Sequence, residues 1–298
     1  MKAICQPLWK EVAWNGISFQ APIDWEIGKI GAHYLVLEDE FGPVLELKWR
    51  RIKGKFVLQD QLRRLSAVHK NKLGKTIKQI PIPSGWQHVI DPFDSLSFSW
   101  QGETIGGIGL ILYCSKCRTS TLLQFFQQKT RIPKKIVTQL LASFRDHRQD
   151  GQIAWAVFDI TAKIPGEFRL TRYRFDAGAF ELEFARRRNK ITLYRRGPAS
   201  ILLREQDLLQ YASKMFGVSQ TDLQYKRVDG RNIVNSKIIT PSSGWAWTRH
   251  VLRSHPKYCR SRMWHLENKN RLLGVKMNGG QPVDFALFEQ ICCFYDSV

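Results

Sequence analysis

The sequence predicts an α+β protein made of two similar domains, each a mainly antiparallel β-sheet flanked by helices, in tandem duplication. Three observations lead there. The chain has 298 residues, and a typical domain takes about 100–150. Segments of period-two alternation are interrupted by segments of helical spacing. A set of short landmarks also occurs twice in the same order, which marks a repeat.

The first landmark is WNGISFQAPIDWEI, from Trp14, against WAVFDITAKIPGEFRL, from Trp155. Each runs from a tryptophan through an alternating strand to a proline and then an aromatic, Trp25 or Phe168. LELKW, from Leu45, parallels FELEF, from Phe180, and IPIPSGW, ending at Trp86, parallels IITPSSGW, ending at Trp245. Tyr113-Cys114 parallels Tyr258-Cys259, and two closing segments end on Phe144 and Phe294. The polar stretch RDHRQDGQ, residues 145–152, reads as a boundary, giving domains over 1–147 and 148–298.

In the first copy ISFQAP, YLVLED and VLELKWRR alternate as strands do. VLQDQLRRLSAVHK places Leu58, Leu62, Leu65 and Val68 or His69 on one helical face. IGGIGLILYC and TSTLLQFFQ return to strand, and a last helix opens at Pro133 with Ile136, Leu140 and Phe144 on one side. In the second copy EFRLTRYRF, FELEFARR and KITLYRR are strands, and SILLREQDLLQYASKMFG is a helix stopped by Gly217. Runs of alternating strands with few helices predict antiparallel layers, not a doubly wound parallel sheet.

The strand–proline–aromatic opening, the order of elements and the final helix of each half resemble PsbP-like domains. That group includes bacterial lipoprotein-type and eukaryotic Ran-binding relatives with an α/β/α sandwich. The resemblance implies a fold used for binding or assembly, and it brings no catalytic residues to this chain. Residues 218–237 depart from the pattern as an insert in the second copy.

Lys and Arg total 46 against 26 Asp and Glu, a net charge of +20. Residues 1–148 hold 22 basic and 12 acidic side chains and the rest hold 24 and 14, so each half carries +10. A field this even attracts anionic partners without naming them. The longest apolar run, IGGIGLILYC, is about half the roughly 20 residues of a membrane span, and the opening residues lack a signal-peptide pattern. Six cysteines without secretory context read as reduced thiols, and a cytoplasmic location is expected.

Two basic turns lead the candidate sites: Arg50, Arg51, Lys53 and Lys55, and Arg186, Arg187, Arg188 and Lys190. Cations of this kind neutralise phosphates and release counterions; about six of them give a log–log salt slope near −5. Strand ends also carry cations for solubility, which is the structural alternative. Residues 244–265 interleave aromatics with cations. Trp245 and Tyr258 have counterparts in the other half and read as core, which leaves Trp247 and Trp264 with Arg249, Arg260 and Arg262 for stacking and phosphate contact.

Cys114-x-x-Cys117 has the spacing of half a zinc knuckle. Partners from His255, Cys259 or His265 require the halves to meet. The match of Cys114 with Cys259 reads instead as a small core position, so no metal and no cofactor are assigned. GETIGGIGLI runs into a strand and not a helix N-terminus, so it is no phosphate loop; its glycines read as sites of close backbone approach. No HExxH, GxSxG or Walker pattern occurs, and a Cys114–His88 pair is only conceivable. The expectation is a non-enzymatic interaction module that binds a protein partner or assembles with itself. Polyanion binding is the first alternative and an enzyme of unknown chemistry the second.

Overall fold

The computed structural model describes residues 8–73, 76–102, 105–127, 132–147, 150–228, 230–236 and 258–298. It is mixed α and β, with antiparallel strands in three sheets, two of seven strands and one of five. The chain divides into two units: residues 1–150 with 156–158, and residues 151–155 with 159–298.

The first unit opens with the hairpin β1 (Trp9–Trp14) and β2 (Ile17–Pro22). Asn15 and Gly16 turn it with positive φ, as a two-residue Asn-Gly hairpin turn demands. β3 (Glu26–Gly31), β4 (Tyr34–Asp39) and β5 (Gly42–Arg51) follow, then α1 (Leu58–Leu73) and β6 (Thr76–Ile80). The short α2 (Gln87–Ile90) leads to β7 (Asp94–Gln101), β8 (Gly106–Cys114), β9 (Thr119–Gln127) and α3 (Lys134–Ser143). The seven-stranded sheet runs β3-β4-β5-β9-β8-β7-β6. Leu62 of α1 packs with Leu96, Phe98, Trp100 and Ile111. α3 buries Val137, Leu140 and Leu141, with Phe144 behind them. The helix thus turns Val137 inward in place of the expected Ile136, and Pro133 stands before its first turn as the N-cap.

β8 is buried on both faces, so its burial does not alternate. Gly109 lies opposite Phe98 and Gly107 opposite Trp100. A Cβ on Gly109 would fall inside the Phe98 ring, and one on Gly107 would meet the Trp100 ring at 2.8 Å. The glycine-rich text is therefore a close approach of ring to backbone. Gly109→Ala is expected to cost about 1–3 kcal/mol as overpacking, read as a lower urea midpoint at unchanged slope.

The remaining elements belong to the second unit, apart from residues 156–158. β10 (Gln152–Val157) and β11 (Ile160–Pro165) precede β12 (Arg169–Asp176), β13 (Ala179–Arg186) and β14 (Asn189–Arg196). α4 (Ala199–Leu202) and α5 (Leu208–Phe216) follow, then β15 (Leu223–Val228) and β16 (Arg231–Ser236). β17 (Tyr258–Leu266), β18 (Arg271–Gly279), α6 (Phe285–Phe294) and β19 (Asp296–Ser297) close it. Its sheet runs β12-β13-β14-β18-β17-β16-β15, which is the order of the first sheet rank for rank. Phe216, Ala212 and Leu208 of α5 pack with Val234, Met263 and Leu272.

The detail matches too. Trp25 N–H donates to the Pro22 carbonyl (3.1 Å) and Phe168 N–H to that of Pro165 (3.0 Å). The residue two past the closing helix pairs with the second strand in each unit, Arg145 with Ser18 and Asp296 with Thr161.

Several expectations are corrected. The single helix over 200–217 is two, because Asp207 accepts from Gln210 N–H and Gln210 returns the bond, restarting the helix with a capping box. Gly217 does end α5, in the left-handed region. The supposed insert 218–237 contributes β15 and β16, which hold the sheet ranks of β6 and β7. LELKW lies in β5 and FELEF in β13, yet β5 and β14 share a rank. Tyr113-Cys114 ends β8 and Tyr258-Cys259 begins β17, at opposite ends of strands of equal rank.

Candidate functional site

The first basic turn leaves β5 and runs to α1. Arg50 donates to Gln61 Oε1 (3.0 Å), and Gly54 accepts from Arg118 (2.6 Å), so this segment is tied to the β8–β9 turn. Arg51, Lys53 and Lys55 are exposed. The second basic turn is the two-residue connection of β13 to β14, with Arg187 at φ 52°. Arg186 pairs with Glu167 (2.8 Å) and Lys190 with Glu183 (3.2 Å); Arg187 and Arg188 are exposed. Among the described residues, six of the eight cations named for the two turns have no ion pair: Arg50, which is hydrogen-bonded to the neutral Gln61, and Arg51, Lys53, Lys55, Arg187 and Arg188.

The second set of expected residues is placed differently. Trp247 and Arg249, like Trp245 and His255, lie outside the described residues. Trp264 is 4% exposed and meets Tyr295 edge-on, so its expected stacking on bases is corrected to a core role. Arg262 forks onto Glu289 of α6 with two bonds of 2.8 Å and donates Nε–H to Asn235 (2.6 Å). Arg260 stacks over Phe285 of the same helix at 4.3 Å. These two arginines fasten α6 to β17, which explains their spacing without a ligand.

The best-built cluster is in the first unit. Cys114 ends β8, Cys117 stands in the four-residue turn, and Arg118 takes a left-handed φ of 59° that brings the chain into β9. Opposite, the backbone of Arg145 exchanges two 2.8 Å bonds with Ser18, which fixes the next two residues, Asp146 and His147. Cys117 Sγ–H donates to Asp146 Oδ2 (2.9 Å), His147 Nδ1 lies 2.7 Å from Asp146 Oδ1, and Cys114 Sγ lies 3.7 Å from the same nitrogen. One ligand atom from each of the four residues falls within 4.8 Å of the others. Cys114 and Asp146 are buried; Cys117 is half-buried. Burial first, then the bond to Asp146, pushes the Cys117 thiol up to about 12. The cluster opens on a cavity of about 1050 Å³ lined by Phe19, His88, Phe93, Lys116 and Arg145. Neither Cys259, in β17, nor His265 belongs to it.

No family model matches the chain, and no curated protein matches it. Among solved structures, a protein from Bacteroides thetaiotaomicron is similar at TM-score 0.32 and 10% identity, over 76% of this chain and 86% of that one. MucB in its complex with MucA(peri) is similar at TM-score 0.20 and 9% identity, over 94% of this chain and 82% of that one. At these scores neither likeness bears on fold or function.

Sequence reasoning saw the two thiols and missed Asp146 and His147, which lie 29 and 33 residues from their partners Cys117 and Cys114. The polarity of RDHRQDGQ points to a boundary and hides its role in the cluster. The missed signal was a His and an Asp at the fixed end of a helix whose last buried residue, Phe144, anchors them.

Proposed function

We propose that this chain is a tandem duplicate of a PsbP-like α+β unit that works as a non-enzymatic interaction module and engages an anionic macromolecule through its basic turns. The duplication is supported by the shared strand order and by the matched pairings Ser18–Arg145 and Thr161–Asp296. The anionic partner rests on one observation: Arg51, Lys53 and Lys55 in one unit, and Arg187 and Arg188 in the other, stand exposed without an ion pair among the described residues. Neighbours that resemble them in type, Arg63, Arg186 and Lys190, are already neutralised by Asp60, Glu167 and Glu183. Cations left unpaired at turn tips reach an approaching anion without breaking existing contacts. Among the described residues no helix is long and apolar enough to cross a membrane.

The test is binding of labelled duplex DNA, heparin and an acidic polypeptide at low salt, with the full chain and two variants. R51Q/K53Q/K55Q and R187Q/R188Q are each expected to weaken binding, and R63Q is expected to leave it unchanged. Equal affinity for all three anions in wild type and in both variants overturns the reading.

A further inference from the structure

We infer that Cys114, Cys117, Asp146 and His147 hold a zinc ion, which locks the β8–β9 turn to the segment that follows α3. The four donors are two thiols, an imidazole nitrogen and a carboxylate oxygen, the mixed soft and borderline set that zinc takes in closed four-coordinate sites. Zinc bonds of about 2.0–2.3 Å at tetrahedral angles put neighbouring ligand atoms roughly 3.3–3.8 Å apart. Here Cys114 Sγ and His147 Nδ1 are 3.7 Å apart and no pair exceeds 4.8 Å. The longest separation closes inward, while the Asp146 carboxylate draws back from its hydrogen bonds to Cys117 Sγ (2.9 Å) and His147 Nδ1 (2.7 Å), which bonds to the metal replace. With four protein ligands, no position is left for a reacting water, so the site is structural.

The second unit supplies an independent argument. Its β17–β18 turn has the rank of the β8–β9 turn, with Leu266 opposite Arg271 as Cys114 is opposite Thr119. Counting from these pairs, Lys269 takes the place of Cys117, and Asn270 takes that of Arg118 with the same left-handed φ, 53° against 59°. The segment after α6 takes the place of Asp146. There Lys269 Nζ donates to the Ser297 carbonyl at 2.6 Å. The same junction, turn tip to post-helix segment, is thus closed in the second unit by a covalently attached cation. In the first unit the tip offers a thiol and the segment a buried carboxylate, and both are ligands for a separate cation. The reading of Cys114 as a shared core residue falls with its supposed partner, because Cys259 stands at the other end of its strand.

The reaction balances as a ligand exchange. Zinc arrives with its waters, Cys114 and Cys117 each lose a proton to solvent, Asp146 enters ionised and His147 neutral through Nδ1, and the waters leave. Nothing is oxidised. Affinity consequently falls as pH falls.

The test is elemental analysis of the full chain purified without chelator, followed by chelation and titration with cobalt. The expected result is one zinc per wild-type chain and, with cobalt, thiolate-to-metal charge-transfer and tetrahedral d–d bands. Chelation is expected to lower Tm. Cys117→Ser and His147→Gln should lose the zinc while keeping the wild-type far-UV circular dichroism, and Cys259→Ser should keep the full zinc content. His147 is partly exposed, so its variant serves if Cys117→Ser fails to fold. Wild-type protein that carries no zinc and gives no cobalt bands overturns the proposal, as does equal metal content in wild type and His147→Gln.

Discussion

Asp159→Ala is expected to destabilise the second unit by about 3 kcal/mol, the lower end of the range for stranding one partner of a buried ion pair. Asp159 Oδ2 accepts from Arg195 Nε–H at 2.9 Å, from Arg195 Nη2–H, and from Arg271 Nε–H at 3.3 Å. The Arg195 side chain is 7% exposed, and the Asp159 side chain 26%. Among the described residues, removing the carboxylate leaves the buried guanidinium with the Phe180 ring, 4.4 Å away, as compensation. Removing the arginine instead leaves a carboxylate that still meets Arg271 and some water. Arg195→Met should therefore cost less than Asp159→Ala, although it deletes the larger side chain. Urea denaturation of both variants measures the order, and the reverse order would contradict this view of the pair.

The pair has a counterpart that gives it meaning. Arg195 in β14 holds the rank and the inward direction of Trp49 in β5. Trp49 Nε1–H donates to the Asn15 carbonyl at 3.1 Å, in the β1–β2 turn, and Arg195 reaches Asp159 at the β10–β11 turn. Both units clamp the opening hairpin from the end of the third strand of their large sheet. One uses an indole and a carbonyl, the other a guanidinium and a carboxylate. The turn-tip junction divides in the same way, with Lys269 and Ser297 in one unit and two cysteines, an aspartate and a histidine in the other.

The architecture was largely legible because it is written in periods. Leu45, Leu47 and Trp49 alternate inward, Pro22 and Trp25 recur as Pro165 and Phe168, and Gly217 stops a helix. What failed was register. Half-buried strands of one sheet carry the same alternation, so matching by pattern slipped by a whole strand and set LELKW against FELEF. The Asp207–Gln210 capping box was present in the text, but the apolar run around it masked the break. The cluster of Cys114, Cys117, Asp146 and His147 was illegible for a different reason. A CxxC turn is local, but its partners come from the far end of α3, and only the Arg145–Ser18 pairing brings them there. Arg260, Arg262 and Trp264 looked like a nucleic-acid surface because cations beside aromatics look alike whether they meet a base or a neighbouring helix.

Binding to a phosphate polymer should collapse with salt in proportion to the cations engaged, at about −0.9 in the log–log slope for each duplex phosphate contact. The three cations of the first turn account for a slope of about −2.7, and the two of the second for about −1.8. Between 50 and 200 mM salt, losing the first set alone should remove a roughly 40-fold salt effect. Duplex DNA titrated with wild type, R51Q/K53Q/K55Q and R187Q/R188Q across that salt range therefore decides whether the turns are the binding surface. Slopes shallower than wild type by about 2.7 and 1.8 are the predicted result. Three parallel lines, or a wild-type line that is flat, would contradict it.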